Sequence, residues 1–535
     1  MVIYAGSWLP FVNSKTAEFY FLRFTFAIVC ALCEVQLFKA IGKAMSPRIA
    51  NLFMLIMATS AGMFHAAISY LPSSFAIYTV LMAAASFMDW TLGIQTAKGL
   101  FWLSVGAVLG WPFVGALAIP YLAEEAVMWH FTEDLEGLSA RLFQAACGAF
   151  VVLLMTALVD YYFYHKVVIY SFQLVWYNVF GGSGKGPNIF GTEPWHYYIR
   201  NLLINFNLWF VLACAVAPLV LFQRNVMGEA SSRLPFFRTM ITISPFYLWL
   251  AIFTLQPHKE ERFMYPVYPF LALNAALACH IIINIIDAAI PSSSTPSKND
   301  NHVRIVGSAK PTTPSWLSSI SPTTVLRVLK PASIAAFLLL TTTINLSRSL
   351  GLATAYSAPL SIYTSLPPVN SSSSTSTSLS SQPALCLGKE WYRFPSSYHL
   401  PPSYRPAFIP SDFHGLLPGA FSEAENFGFF PGAWLVPSGM NDENREDLGK
   451  LTREEHCDWL VESWFEGEVG REKQPDRMSG SGVEAGKWDK VRCERFLDQG
   501  KTGVLGRLFW MPEAEWVPKS WRRQWGEYCL LRRKV

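Results

Sequence analysis

The sequence predicts a mainly α-helical fold: a polytopic transmembrane bundle of about eight spans plus a re-entrant hairpin, with a small C-terminal mixed α/β domain. Three observations predict it. Of 535 residues, 52% are hydrophobic and only 15% are charged, against about 25% charged in an average soluble domain. Apolar runs of about 20 residues, the length that crosses a bilayer, recur along the chain as far as residue 346. Beyond residue 384 the composition turns aromatic, mixed in charge and rich in glycine and proline, as a domain in water requires.

In chain order, spans are expected near 17–38, 49–70, 74–90, 139–160, 197–222, 238–256, 265–287 and 326–346. A further apolar run, 99–122, is interrupted at Gly110, Trp111 and Pro112. Glycine and proline in mid-run mark either a kink or a segment that turns back, and loop charge decides between them. Lys39, Lys43 and Arg48, then Arg224, Arg233 and Arg238, then Lys298, Arg304 and Lys310 occupy three connections. The positive-inside rule puts all three in the cytosol. They share a side only if 99–122 enters and returns, so a re-entrant hairpin is expected. Residues 71–74, the connection 160–197, the cluster at 258–263 and everything after 346 then face the opposite, luminal side.

The domain organisation follows. Residues 1–290 form the transmembrane module, 291–325 a Ser/Pro-rich linker, 326–346 the last span, 347–383 a low-complexity luminal linker, and 384–535 the luminal domain. The Ser/Thr-rich stretches 291–325 and 370–382 bury too little apolar surface to offset ordering entropy, so disorder is expected there. Of two sequons, Asn345 lies too near the membrane for glycosylation, and Asn370 is the better acceptor. Five of nine cysteines fall in the apolar part; Cys386, Cys457, Cys493 and Cys529 lie in the polar tail. Their even number permits bridges in an oxidising compartment without specifying a pairing.

Several chemistries are set aside. A net charge of +4, spread thinly, gives no footprint for nucleic acid. The glycines of 181–186 lack the Ser or Thr that a phosphate loop needs after Lys185. Cys30 and Cys33 have redox spacing but sit inside a span, where thiols are packing residues. His65 and His280 stand singly in spans, so no metal site is expected. No cofactor is implied.

What remains is charge at membrane depth. His258, Lys259, Glu260, Glu261 and Arg262 lie between two apolar runs. Snorkelling to headgroups is one reading; an anion site is the other, because intramembrane charge is expensive. In the second reading His258, Lys259 and Arg262 bind a lipid-linked phosphate while Glu260 and Glu261 orient them. The aromatic connection 160–197 adds Asp160, His165, Glu193, Trp195 and His196 as candidates for sugar or acceptor binding.

The stretch "PHKEERFMYPVYP" (257–269) resembles the signature of dolichyl-phosphate-mannose-dependent mannosyltransferases of the GT-C superfamily. Within them the chain is most similar to the α-1,2-mannosyltransferases of lipid-linked oligosaccharide assembly. "LPSSFAIYT" (71–79), "LGWPF" (109–113), "GTEPWHYYIRNLLINFN" (191–207), "LGKEWYRFPSSYHLP" (387–401) and "FIPSDFHGLLP" (408–418) carry the likeness. The resemblance implies a GT-C-type bundle in the endoplasmic reticulum membrane with its active face luminal. It implies an inverting transfer of mannose from dolichyl phosphate mannose, in α-1,2 linkage, to the dolichyl-pyrophosphate-linked precursor of protein N-glycosylation. The family carries its presumed general base in an Asp-Glu pair of the first luminal loop, and here the first acidic residue is Glu18. The expectation is therefore a base upstream of residue 1, with the chain N-terminally truncated or inactive as written. Two alternatives remain: a GPI-anchor mannosyltransferase, and a non-catalytic lipid-oligosaccharide binder or transporter.

Overall fold

Local chemistry sets where the helices begin and break. Ser14 caps α1 (Lys15–Ala44) by accepting the Ala17 amide, and Ser46 with Pro47 opens α2 (Pro47–Thr59) in the same manner. The computed structural model describes residues 12–89, 94–164, 166–181, 186–228, 234–289, 322–368, 382–419, 437–467 and 485–534. After α2 come α3 (Ala61–Ala66), α4 (Pro72–Met88), α5 (Ile94–Leu109), α6 (Ile119–Thr132), α7 (Leu135–Tyr164) and α8 (Tyr170–Phe180). Then follow α9 (Tyr197–Phe206), α10 (Leu208–Phe222), α11 (Phe236–Leu255), α12 (Tyr268–Ala289) and α13 (Pro322–Ala355). Among the described residues six helices are long and apolar enough to cross a membrane, and α2 and α4 are shorter apolar helices. The chain is thus a multi-pass membrane protein.

Side-chain contacts sort the helix termini into two ends. At one end Lys43 meets Asp89, Arg48 meets Asn284, Arg238 pairs with Glu124, and Lys330 pairs with Asp287. At the other, Arg23 reaches the Ile68 carbonyl and His65 meets Glu261. All the described basic residues that were assigned to one side by loop charge (Lys39, Lys43, Arg48, Arg224, Arg238) fall at the first end. The linker 291–321 and Arg233 lie outside the described residues.

The run 99–122 differs in depth from the expected re-entrant dip. Its first limb, α5, packs antiparallel to α4: Gly99 lies against Phe87, Gly106 against Thr79 and Gly110 against the Pro72 carbonyl. Trp111 then stacks near Phe263, ring centroids 5.3 Å apart. A 3-10 segment, Pro112–Ala118, and α6 return until Tyr121 stacks on Phe87 at 3.7 Å. The hairpin therefore runs the full length of the bundle and closes at the end where it began. Parity is as expected; the depth is not. Two other expected spans are interrupted: 49–70 breaks at Ser60, and 197–222 breaks at Asn207, whose φ is 46°.

α13 also exceeds its expected end at 346 and continues to Ala355. Ala358, Ile362 and Tyr363, placed by sequence in a linker, are buried in the core of the C-terminal sheet. That sheet comprises β1 (Ala384–Leu387), β2 (Arg405–Phe408), β3 (Trp459–Trp464), β4 (Trp488–Leu497) and β5 (Trp525–Arg533) in the order β2-β1-β3-β5-β4. β1 is parallel to both its neighbours, and β5 is antiparallel to β3 and β4. Disulfides join Cys386 to Cys457 and Cys493 to Cys529. The low-complexity 370–381, with Asn370, lies outside the described residues. Asn345 is fully buried and accepts a hydrogen bond from Asn207 (3.0 Å), so it offers no glycosylation site.

The domain docks at the His65–Glu261 end. The Trp510 amide donates to the Ser347 carbonyl (2.9 Å), Arg523 to the Gly351 carbonyl (3.1 Å) and Thr16 to the Tyr398 carbonyl (3.2 Å).

Candidate functional site

The charged stretch exists because α11 cannot continue. Gln256 is extended, Pro257 supplies no amide proton, and the chain resumes only at a 3-10 turn, Glu261–Val267. Trp249 anchors that turn by donating its indole N–H to the Phe263 carbonyl (2.9 Å). Between these supports the five ionisable side chains separate into two groups.

The first group faces residues 191–193. His258 is buried; its Nδ1 donates to the Gly191 carbonyl (2.7 Å) and its Nε2 lies 3.1 Å from Glu260 Oε1. Lys259, 5% exposed, donates to the backbone carbonyls of Glu193 (3.0 Å) and Gln256. The Glu193 amide returns a bond to the Pro257 carbonyl (2.9 Å). Lys259 thus spends its charge on holding two loops together. Arg262 is the outermost cation. Its Nε and Nη2 fork onto the two Glu260 oxygens at 2.6 and 2.7 Å, with the side chain 43% exposed. Among the described residues its Nη1 has no hydrogen-bond partner.

The second group turns inward around Glu261. One carboxylate oxygen accepts from His65 Nε2 (2.6 Å) and Asn205 Nδ2 (3.1 Å), the other from Asn201 Nδ2 (2.9 Å). Arg348 of α13 is close enough to act on it electrostatically, and donates Nη1 to the Leu508 carbonyl of the C-terminal domain (3.0 Å). Glu261 therefore ties α3, α9 and the 3-10 turn together, with α13 alongside.

Glu193, Trp195 and His196 lie in or beside the strip that His258 and Lys259 hold, and Trp195 is 66% exposed. Asp160 is half-buried on α7 and has no hydrogen bond or ion pair to the cluster among the described residues. His165 lies outside them. Sequence reasoning missed four contributors: His65, Asn201, Asn205 and Arg348. Asn201 and Asn205 carry a readable signal, polar residues at i and i+4 on one face of a run whose other polar member is Arg200. His65 and Arg348 carry none locally, being 196 residues from Glu261 in one case and on the last span in the other.

Two anionic side chains are accounted for by this geometry, and a cation remains with an open edge. By itself that arrangement names no reaction. Comparison with known proteins does. The model of the family described as "Alg9-like mannosyltransferase family" matches residues 2–401. "Alpha-1,2-mannosyltransferase alg9" of Schizosaccharomyces pombe is 33% identical over 97% of this chain and 82% of its own length. "Alpha-1,2-mannosyltransferase ALG9" of Homo sapiens is 31% identical over 94% of this chain and 74% of its own. "GPI mannosyltransferase 3" of Candida albicans matches at 30% identity, but over only 23% of this chain and 20% of its own. This membrane-embedded glycosyltransferase therefore belongs to the Alg9-like mannosyltransferase family.

Proposed function

We propose that the protein transfers mannose in α-1,2 linkage from dolichyl phosphate mannose to the dolichyl-pyrophosphate-linked oligosaccharide, at the luminal face of the endoplasmic reticulum membrane. The observation that carries the site assignment is the open Nη1 edge of Arg262, whose partner Glu260 is reached by His258 on the 191–193 strip. As the acceptor hydroxyl attacks the anomeric carbon, the bond from that carbon to the phosphate oxygen breaks and charge grows on dolichyl phosphate. A guanidinium already fixed by Glu260 meets that charge without reorganising. His258 orients Glu260, and Lys259 acts through the backbone, holding residues 191–193 against the clamp. Glu260 and Glu261 are both committed to partners, so acceptor deprotonation is assigned to a carboxylate outside this cluster.

Sidedness has independent support. Two disulfides belong to the domain docked at the clamp end, and disulfides persist in oxidising compartments. The basic loops gather at the opposite end. Full-length α-1,2-mannosyltransferase relatives match this chain nearly end to end, which favours this reading over the GPI-anchor alternative.

The test separates binding from transfer. The purified chain is titrated with dolichyl phosphate, and addition of one hexose to the lipid-linked acceptor is followed by mass spectrometry. Arg262→Ala is expected to weaken dolichyl phosphate binding at least tenfold and to cut transfer about 100-fold, the loss seen for one charge-stabilising donor. Arg262→Lys is expected to recover only part, since a point charge cannot keep the Glu260 fork. Unchanged binding in Arg262→Ala would return the cluster to the snorkelling reading.

A further inference from the structure

At the end of the bundle opposite the clamp, a cavity of about 400 Å³ opens between α1, α4 and α5. Three exposed cations border it: Lys39 and Lys43, one turn apart on α1, and Lys98 near the start of α5. Its deeper lining is apolar, with Met88 and Leu234 buried and Met82 partly so. Among the described residues the one carboxylate in the lining is Asp89, which Lys43 meets at 3.3 Å. Lys39 and Lys98 have no ion-pair partner among the described residues.

Like charges one turn apart on a helix repel; Asp89 offsets this at Lys43, and a bound anion would offset it at Lys39. Snorkelling alone explains lysines at a span's end. It does not explain why they ring an open cavity with a buried apolar floor. Such a cavity suits an amphiphile whose phosphate lies at the rim and whose chain begins on the methionines. Basic pockets between helices on the cytosolic side are also where anionic headgroups bind.

We propose that this cavity is a second lipid site, distinct from the clamp, that takes the phosphate headgroup of an anionic phospholipid from the leaflet on the basic-loop side. Phosphodiester oxygens accept from Lys39 and Lys98, and Lys43 remains on Asp89. No bond is made or broken there.

The proposal is tested on the full chain in neutral detergent micelles, titrated with fluorescent phosphatidylinositol and with phosphatidylcholine as the neutral control. Phosphatidylinositol is expected to bind at least tenfold more tightly. A Lys39→Gln/Lys98→Gln double variant should lose that preference, and Lys39→Arg/Lys98→Arg should keep it. Dolichyl phosphate binding at Arg262 should be unchanged in both, and the phosphatidylinositol preference should survive Arg262→Ala. The two sites can therefore fail separately. Equal binding of the two lipids, or an undiminished preference in the glutamine variant, overturns the proposal. Displacement by inorganic phosphate at the same concentration as the lipid assigns the site to a soluble anion and overturns the lipid part.

Discussion

Arg262 and Glu261 are neighbours with opposite tasks. Arg262 turns to the exposed edge with Glu260, whereas Glu261 points into the bundle and collects His65, Asn201 and Asn205. Side chains one residue apart diverge in a tight turn, so a motif read as one clamp divides into an exposed edge, proposed above to bind phosphate, and a structural knot. The knot can be measured. Glu261→Gln keeps the shape and removes the charge, and His65→Ala removes the donor. Each is expected to cost about 1–3 kcal/mol, and in a double-mutant cycle they should couple by about 1 kcal/mol or more. Thermal melts of the four proteins in detergent check this; additivity would mean that the 2.6 Å contact is energetically empty. The acidic and basic members at 258–262 were legible because they are consecutive in sequence. His65 was not: a lone histidine in a span looks like packing until the fold brings a carboxylate to it.

Among the elements, the 99–122 hairpin decides the topology. Charge in distant loops was enough to require that it return to its starting side, because each basic loop carries a large transfer penalty. How far it reaches was not legible, since depth depends on packing against α4. Gly110 is where an added Cβ would meet main chain: it would stand 2.8 Å from the Gly106 carbonyl of α5 and 2.9 Å from the Pro72 carbonyl of α4. Both obstacles are backbone. Gly110→Ala is accordingly expected to destabilise by about 1–3 kcal/mol through overpacking. Gly115→Ala, three residues beyond Pro112, meets nothing within 4 Å and should melt with the wild type. Equal melting temperatures for the two variants would show that the hairpin tip is looser than its geometry. Asn207 makes a similar point: a polar residue in an apolar run marked no break by itself. The break is held by its amide donating to Thr341 and Asn345 on α13.

For the whole molecule, two ends with different chemistry follow from the arrangement of passes. One end has the clamp, the knot at Glu261 and the disulfide-bonded domain; the other has the basic loops and the lysine-rimmed cavity. In sealed microsomes, a cysteine at Lys43 (70% exposed) should react with an impermeant maleimide from outside. One at Trp516 (79% exposed) should react only after permeabilisation. Labelling of both without permeabilisation would break the topology. The sequence by itself determined that the chain crosses a membrane several times and which stretch carries the charge, because transfer free energies and adjacent charges are local properties of a chain. Tertiary structure alone decided which cation keeps an open edge, which residues hold Glu261, that α13 continues into the C-terminal domain, and how four cysteines pair. Each of these depends on contacts between residues far apart in sequence, of which the i, i+4 spacing of Asn201 and Asn205 is the part that leaves a local trace.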